Sequence, residues 1–355
     1  IILLLIFGFV MISSASVVMS YKNFGYNYYY LIHQFLYGLF PGIVLMLIFK
    51  NVDYSVYKKQ SRLFLIITIV LLLIVFTPGL SFGAKGASRW VEIWDFSFQP
   101  SEFAKLTFIM YLASWLCSKE KEIKSLSEGL IPFIVLVALM AIPLIFQPDL
   151  GTLIIIIAIA TSMYFVSGAK VGHIFSLLAL GVIATIFMIK IAPYRMDRLM
   201  VFLHPELDPR GIGYQINQAL LALGSGGIFG LGFGHSRQKF NYLPEPMGDS
   251  IFAIIGEELG FIGLFFLVVL FLLFAIRGYK IVKNAPDKFG KFIAVGITSW
   301  IVFQAFMNIA AITSLIPLTG IPLPFISYGA SSLVSSLLGM GILLNISKHS
   351  TRKYS

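Results

Sequence analysis

The sequence predicts an all-α integral membrane protein of about ten transmembrane helices, with one long extracytoplasmic loop between the seventh and the eighth. Three observations carry that expectation. Apolar residues make up 58% of the 355-residue chain and charged residues only 12%, and the mean hydropathy of +0.90 lies outside the composition of soluble globular domains. Apolar stretches close to the roughly 20 residues that cross a bilayer recur along the whole length. Lysine and arginine concentrate in alternate loops, as the positive-inside rule requires.

In chain order the apolar segments are Ile1–Met19, Tyr28–Phe49, Leu63–Thr77, Glu102–Leu116, Gly129–Phe146, Thr152–Val166, Gly172–Ile189, Ser250–Ile276, Phe292–Ser314 and Ile326–Ile346. The first opens at Ile1 without an initiator methionine, as a fragment of a longer sequence would. It reads as a spanning helix rather than a cleaved signal peptide, because nine further segments follow and no small-residue cleavage pattern is evident. With a cytoplasmic amino terminus, the inside loops hold Lys50, Lys58, Lys59 and Arg62, then Lys119, Lys121 and Lys124, then Lys170, then Arg277 to Lys291, and finally Lys348, Arg352 and Lys353. That places 16 of the 26 basic residues inside and both termini in the cytoplasm. The net charge of +10 then reflects this asymmetry and attraction to anionic lipid headgroups, and no basic stripe interleaved with aromatics points to nucleic acid. Cys117, the one cysteine, excludes an intramolecular disulfide and a cysteine-rich metal site. Residues 1–355 are expected to form a single polytopic domain.

Three segments on the predicted outer face are unlike ordinary connectors. Ile191–Asp249 spans 59 residues, too long for a simple link, and its GYQINQALLAL stretch (Gly213–Leu223) has the pattern of an interfacial helix with Ile216, Leu220 and Leu223 on one side. Pro78–Gln99 is rich in aromatics suited to the headgroup zone. Leu315–Gly329 carries prolines at 317, 322 and 324, which break helix and leave backbone groups in need of protein or water partners.

Polar residues cluster at these outer ends: Arg89 and Trp90; Glu102 and Lys105; Gln147 and Asp149; Arg195, Asp197 and Arg198; and Arg237, Lys239, Glu245 and Asp249. Ionisable groups at membrane depth are costly and by default functional candidates. The plainer alternatives are an ion pair for Glu102 with Lys105, three apart on one helix face, and lipid-phosphate contacts for the arginines. Asp249 stands alone, with no cation three or four residues away on its helix. It suits the cap of the helix that follows and equally a proton acceptor whose pKa the apolar neighbours Met247 and Phe252 raise. Glu257 and Glu258, about 10 Å further along, read as buried structural groups. The glycines of GLGFG lack the lysine and the strand-to-helix setting of a phosphate loop, and the five histidines show no metal-ligand spacing.

Seven ordered motifs make the chain resemble the SEDS family over essentially its whole length. They are KGASRW (Lys85–Trp90), FQPSEFAKL (Phe98–Leu106), QPDLGT (Gln147–Thr152), DPRGIGYQINQALLALGSGG (Asp208–Gly227), SRQKFNYLPEP (Ser236–Pro246), IFAIIGEELGFIG (Ile251–Gly263) and LPFISYGASSL (Leu323–Leu333). The SRQKFNYLPEP region is closer to the FtsW branch than to the RodA branch. Two departures stand out: Gly248-Asp249-Ser250 where the family usually has Thr-Asp-Phe, and Gly329-Ala330-Ser331-Ser332 where it usually has Gly-Gly-Ser-Ser.

The resemblance implies a bacterial inner-membrane glycosyltransferase that polymerises lipid II into β-1,4 glycan strands by inversion, releasing undecaprenyl pyrophosphate, in cell division or elongation. Asp249 maps to the general base. Arg89, Trp90, Glu102, Lys105, Gln147, Asp149, Arg195, Arg198, Arg237, Lys239, Glu245 and Ser327 are the candidate substrate contacts. The departing pyrophosphate wants cations, with Mg2+ or another divalent ion as a possible companion and no organic cofactor. A class B penicillin-binding protein and other division or elongation membrane proteins are the implied partners. The rival classes are a lipid II flippase and a non-catalytic scaffold of the division machinery; the flippase leaves the outer-face clustering of polar residues unexplained.

Overall fold

A helix forms in each of the ten apolar segments of this computed structural model, which describes residues 1–77, 81–82, 89–93, 96–191, 193–208 and 211–352. Among the described residues, five helices are long and apolar enough to cross a membrane by length and composition: Tyr29–Asn51, Leu126–Phe146, Ile251–Lys283, Lys288–Ile312 and Ala330–His349. A sixth span arises if Ile2–Ala15 and Val17–Phe24, bent by 53° at Ser16, count as one. Ser61–Phe76, Leu150–Val166 and Val171–Ile186 are shorter apolar helices. The helices expose large apolar side chains such as Leu3, Phe40, Val135, Phe175 and Phe265, as expected where the solvent is hydrocarbon.

The chain forms two compact units. One comprises Ile1–Tyr37, Leu178–Phe274 and Gln304–Gly329; the other comprises Gly38–Leu177, Ala275–Phe303 and Ala330–Ser355. In the second unit, close helix packing rests on small residues: a Cβ on Gly42 would lie 2.5 Å from Leu337, and one on Gly341 would lie 2.5 Å from the Met46 carbonyl. This unit also holds the one departure from an all-helical chain among the described residues. The aromatic segment before Pro100 folds into an antiparallel sheet of β1 (Ser81–Phe82), β2 (Trp90–Ile93) and β3 (Phe96–Phe98), with Val91 opposite both Ser81 and Phe98. Alternating Trp90, Glu92 and Phe96, Phe98 fit a strand better than a helix. The first five residues of the KGASRW motif, apart from Arg89, fall outside the described residues.

In the first unit, Ile212–Gly226 is a helix, as the GYQINQALLAL pattern predicts. Gly213, Ile216, Ala219, Ala222 and Gly226 face inward, while Leu220 is exposed. The small residues win that face because the backbone of the neighbouring helix comes close; a Cβ on Gly226 would meet the Gly256 carbonyl at 1.9 Å.

The Ile251–Lys283 helix is broken at Gly260, whose φ of 65° and ψ of −166° are non-helical. An unbroken helix would pair the Glu257 carbonyl with Phe261 N–H and the Glu258 carbonyl with Ile262 N–H. Instead the glycine-rich loop engages all four groups. Leu231 and Gly232 donate to the Glu257 and Glu258 carbonyls at 2.9 and 3.0 Å, and Phe261 and Ile262 donate to the Gly227 and Ile228 carbonyls at 2.9 and 3.2 Å. Gly230 lies at φ 81°, and a Cβ there would sit 2.2 Å from the Glu258 carbonyl; Gly234 has the same φ but open space around it. Alanine at 234 is therefore expected to cost only left-handed backbone strain, about 1 kcal/mol, whereas Gly230→Ala adds a backbone clash and loses about 3 kcal/mol. Thermal unfolding of the two variants in detergent checks the difference; equal stabilities would contradict the close contact.

Candidate active site

Around Asp249, the backbone is held before the side chain is considered. Asn308, buried in the Lys288–Ile312 helix, donates from Nδ2 to the carbonyls of Asp249 and Ile321, both at 2.8 Å. Ser327 Oγ donates to the Gly248 carbonyl at 2.7 Å and accepts from Leu323 N–H at 2.8 Å. Tyr328 N–H reaches the Met247 carbonyl at 2.8 Å. The proline-rich segment is itself fixed by Gln304 Nε2 on the Pro322 carbonyl at 3.0 Å and by Gln34 Oε1 accepting from Gly329 N–H at 3.0 Å. Ser327, a candidate substrate contact, thus spends its hydroxyl on positioning the residue before Asp249.

The Asp249 side chain is partly exposed, and its carboxyl is pushed up to about 7, first by desolvation against surrounding protein and then by the negative charge of Glu245. Ser250 Oγ donates to Asp249 Oδ1 at 3.4 Å and accepts from Gln215 Nε2 at 3.1 Å. Ser250 rather than Asp249 precedes the first helical residue, Ile251, and its carbonyl accepts from Ala253 N–H at 3.0 Å. The position before the first helical residue, expected for Asp249, is therefore taken by its neighbour. Glu245 is exposed at φ 48°, with its carbonyl accepting from the N–H groups of Gly248 and Ser250. Gly320, at φ 67°, comes so close that a Cβ would lie 3.8 Å from Asp249 Oδ2.

Lys239 is not a surface cation. Its Nζ is buried and donates to Glu258 Oε1 at 2.9 Å, Ser14 Oγ at 2.9 Å and the Gly234 carbonyl at 2.7 Å. Glu258 also accepts from Ser14 Oγ and from Ser236 N–H. Glu257 accepts from Ser236 Oγ and from the backbone N–H groups of Arg237 and Gln238 at 2.9 and 3.3 Å. A buried carboxylate demands this compensation, which is why Lys239 is drawn inward and lost as a phosphate ligand. Glu257 and Glu258 are structural, as their depth along the helix implies. Arg237 is exposed. Arg198 is half-buried on the Pro193–Leu203 helix, and the Arg195 side chain lies outside the described residues.

In the second unit, Glu102 and Lys105 form a buried ion pair at 2.8 Å, with Ser335 Oγ on Glu102 at 3.5 Å and the Trp300 ring centroid 4.8 Å from Lys105 Nζ. Asp149 caps the Leu150–Val166 helix through Thr152 N–H at 3.2 Å, and its buried Oδ2 accepts no hydrogen bond among the described residues. Gln147 Nε2 donates to the Leu72 carbonyl at 2.5 Å, and the Arg89 guanidinium donates to the Pro148 carbonyl and to that of Gln147. Trp90 is half-buried in β2. Asn308, Gln215 and Trp300 were not candidates from the sequence; a lone asparagine inside an apolar helix is the signal that marks Asn308.

The family model of FtsW, RodA and SpoVE cell cycle proteins matches residues 1–352. The chain belongs to this family. It is 43% identical over 348 residues to stage V sporulation protein E of Bacillus subtilis, covering 98% of this chain and 95% of that protein. A probable peptidoglycan glycosyltransferase FtsW of a Geobacter species is 41% identical over 346 residues, covering 98% and 94%. Among solved structures, a chain of a peptidoglycan synthase complex that coordinates polymerization and crosslinking superposes with a TM-score of 0.77 at 24% identity, covering 97% of each chain. Thermus thermophilus RodA superposes at 0.70 and 23%, covering 98% of this chain and 94% of that one. The fold of this FtsW/RodA/SpoVE member is that of these membrane proteins.

Removing Lys239 leaves Glu258 buried and unpaired. Lys239→Met is expected to lose about 3–5 kcal/mol, and adding Glu258→Gln is expected to restore most of it, read as melting temperature in detergent. A single variant as stable as the parent would show that the pair carries no charge compensation.

Proposed function

We propose that this chain is a peptidoglycan glycosyltransferase that polymerises lipid II, with Asp249 as the general base. The observation that carries the reading is a partly exposed carboxylate, raised to about 7, on a backbone fixed by three donors from two elements. A base needs a pKa near the working pH and a rigid mount. The name of the FtsW relative supports the reaction class.

In this reading the acceptor sugar's 4-hydroxyl loses its proton to Asp249 as its oxygen attacks the donor's anomeric carbon from the face opposite the pyrophosphate. The anomeric C–O bond breaks with its electron pair leaving on undecaprenyl pyrophosphate, and the configuration inverts. Arg237 and Arg198 are the proposed cations for the phosphates; Ser250 and Gln215 orient the carboxylate. No group of three or more His, Cys, Asp or Glu side chains comes together among the described residues. A divalent ion is proposed only as a companion of the pyrophosphate, and no step rests on it. We further propose ten membrane crossings in the bacterial inner membrane, both termini in the cytoplasm and Asp249 toward the outer face, supported by the distribution of basic residues. A class B penicillin-binding protein is the proposed partner, supported by the likeness to a chain of a crosslinking synthase complex.

With purified protein, its cognate penicillin-binding protein and fluorescent lipid II, Asp249→Asn is expected to abolish polymer on a gel. Undiminished polymer from the folded variant would remove the base, and lipid II movement between leaflets without polymer would favour a flippase. Because the ionised carboxylate is the active form, the rate is expected to rise with pH through about 7. Glu245→Gln removes the neighbouring negative charge and so is expected to move that rise to lower pH. An unchanged pH profile would separate Glu245 from the base.

A further inference from the structure

We infer that residues 212–249 do not lie above the membrane as an external loop but re-enter it, with the glycine-rich tip Ile228–Phe233 immersed among lipid acyl chains. Three contacts fix the descent alongside the Ile251–Lys283 helix. Gln215 is level with Ser250, to which it donates at 3.1 Å. Leu223 is level with Gly256, where a Cβ would touch its side chain at 2.6 Å. The tip is level with Glu257 to Ile262, through the four backbone bonds that replace the broken helical pairs. The return is marked by Ser236, Arg237 and Lys239 on the carboxylates of Glu257 and Glu258, and the chain rises again to Glu245 and Asp249.

Counted back from Arg277, the first cation at the far end of this 33-residue helix, a hydrocarbon core about 30 Å thick takes about 20 residues at 1.5 Å each and so reaches Glu257, level with the tip. Non-helical backbone persists at such depth only when its polar groups are satisfied by protein. Here the loop and the break at Gly260 satisfy each other. The side chains agree with the backbone. Ile228 is 62% and Phe229 80% exposed, and they continue the apolar surface of Phe261, Ile262 and Phe265 on a helix long and apolar enough to cross the membrane. Exposed apolar residues of that size on a water-facing loop would be an aggregation site; against acyl chains they are ordinary. The occupant of this surface is lipid.

The test reads depth rather than activity, so its outcome is independent of the proposed reaction. In a Cys117→Ser background, Phe229→Cys is labelled with a fluorophore and the full chain is reconstituted into phosphatidylethanolamine–phosphatidylglycerol vesicles. These carry a nitroxide either midway along the acyl chain or on the headgroup. The label at 229 is expected to be quenched about twofold more strongly by the mid-chain nitroxide, and a label on Asn241→Cys, exposed on the returning segment, more strongly by the headgroup one. Stronger headgroup quenching at 229, or quenching by neither, would overturn the inference. Ile228→Cys gives the same readout if the first variant does not reconstitute.

Discussion

A helix that breaks away from water strands two carbonyls and two N–H groups, and at several kcal/mol for each unsatisfied group in hydrocarbon the break persists only with partners. In this protein the break is at Gly260 and the partners are supplied by Gly227 to Gly232. Much of the first unit follows from that exchange. The glycines are needed because the backbones touch, the Ile212–Gly226 helix must end where Gly226 meets Gly256, and the returning chain passes directly over Glu257 and Glu258. Those two carboxylates then anchor Ser236 to Lys239, and the segment leaving that anchor is the one that carries Glu245 and Asp249.

Asp249 is fixed mainly through its main chain. Asn308, Ser327 and Tyr328 each spend a donor on the carbonyls of residues 247 to 249, so the carboxylate can change protonation without disturbing its mount. Where relatives of the SEDS type usually carry a threonine before the aspartate and a phenylalanine after it, this chain has Gly248 and Ser250. The hydroxyl is therefore displaced rather than absent: Ser250 offers it to Asp249 Oδ1 and is itself oriented by Gln215.

The helices were legible because a bilayer imposes length and apolarity directly on the sequence. The depth of Glu257 and Glu258 was legible for the related reason that helical rise fixes depth along a span, whereas for Glu102 and Lys105 the spacing allowed both an ion pair and a substrate contact. The three-stranded sheet was not, since its strands are two to four residues long and short aromatic runs have no decisive period. The direction of Lys239 was hidden because its partners, Ser14 and Glu258, are 225 and 19 residues away. The inward face of Ile212–Gly226 was hidden for a similar reason: glycine and alanine line it because a second backbone, distant in sequence, approaches closely.

The contact of Ser14 with Glu258 spans 244 positions of sequence, and the first unit gathers its parts from the beginning, middle and end of the chain. A ribosome delivers these parts in order, so the helix of Ser14 must wait, with its serine unsatisfied by that partner, while the 244 residues up to Glu258 are made. Asn308 and Ser327, which hold Asp249, emerge later still. The residues that bind Asp249 in place are thus synthesised well after it, and the site can close only once they have followed it into the bilayer.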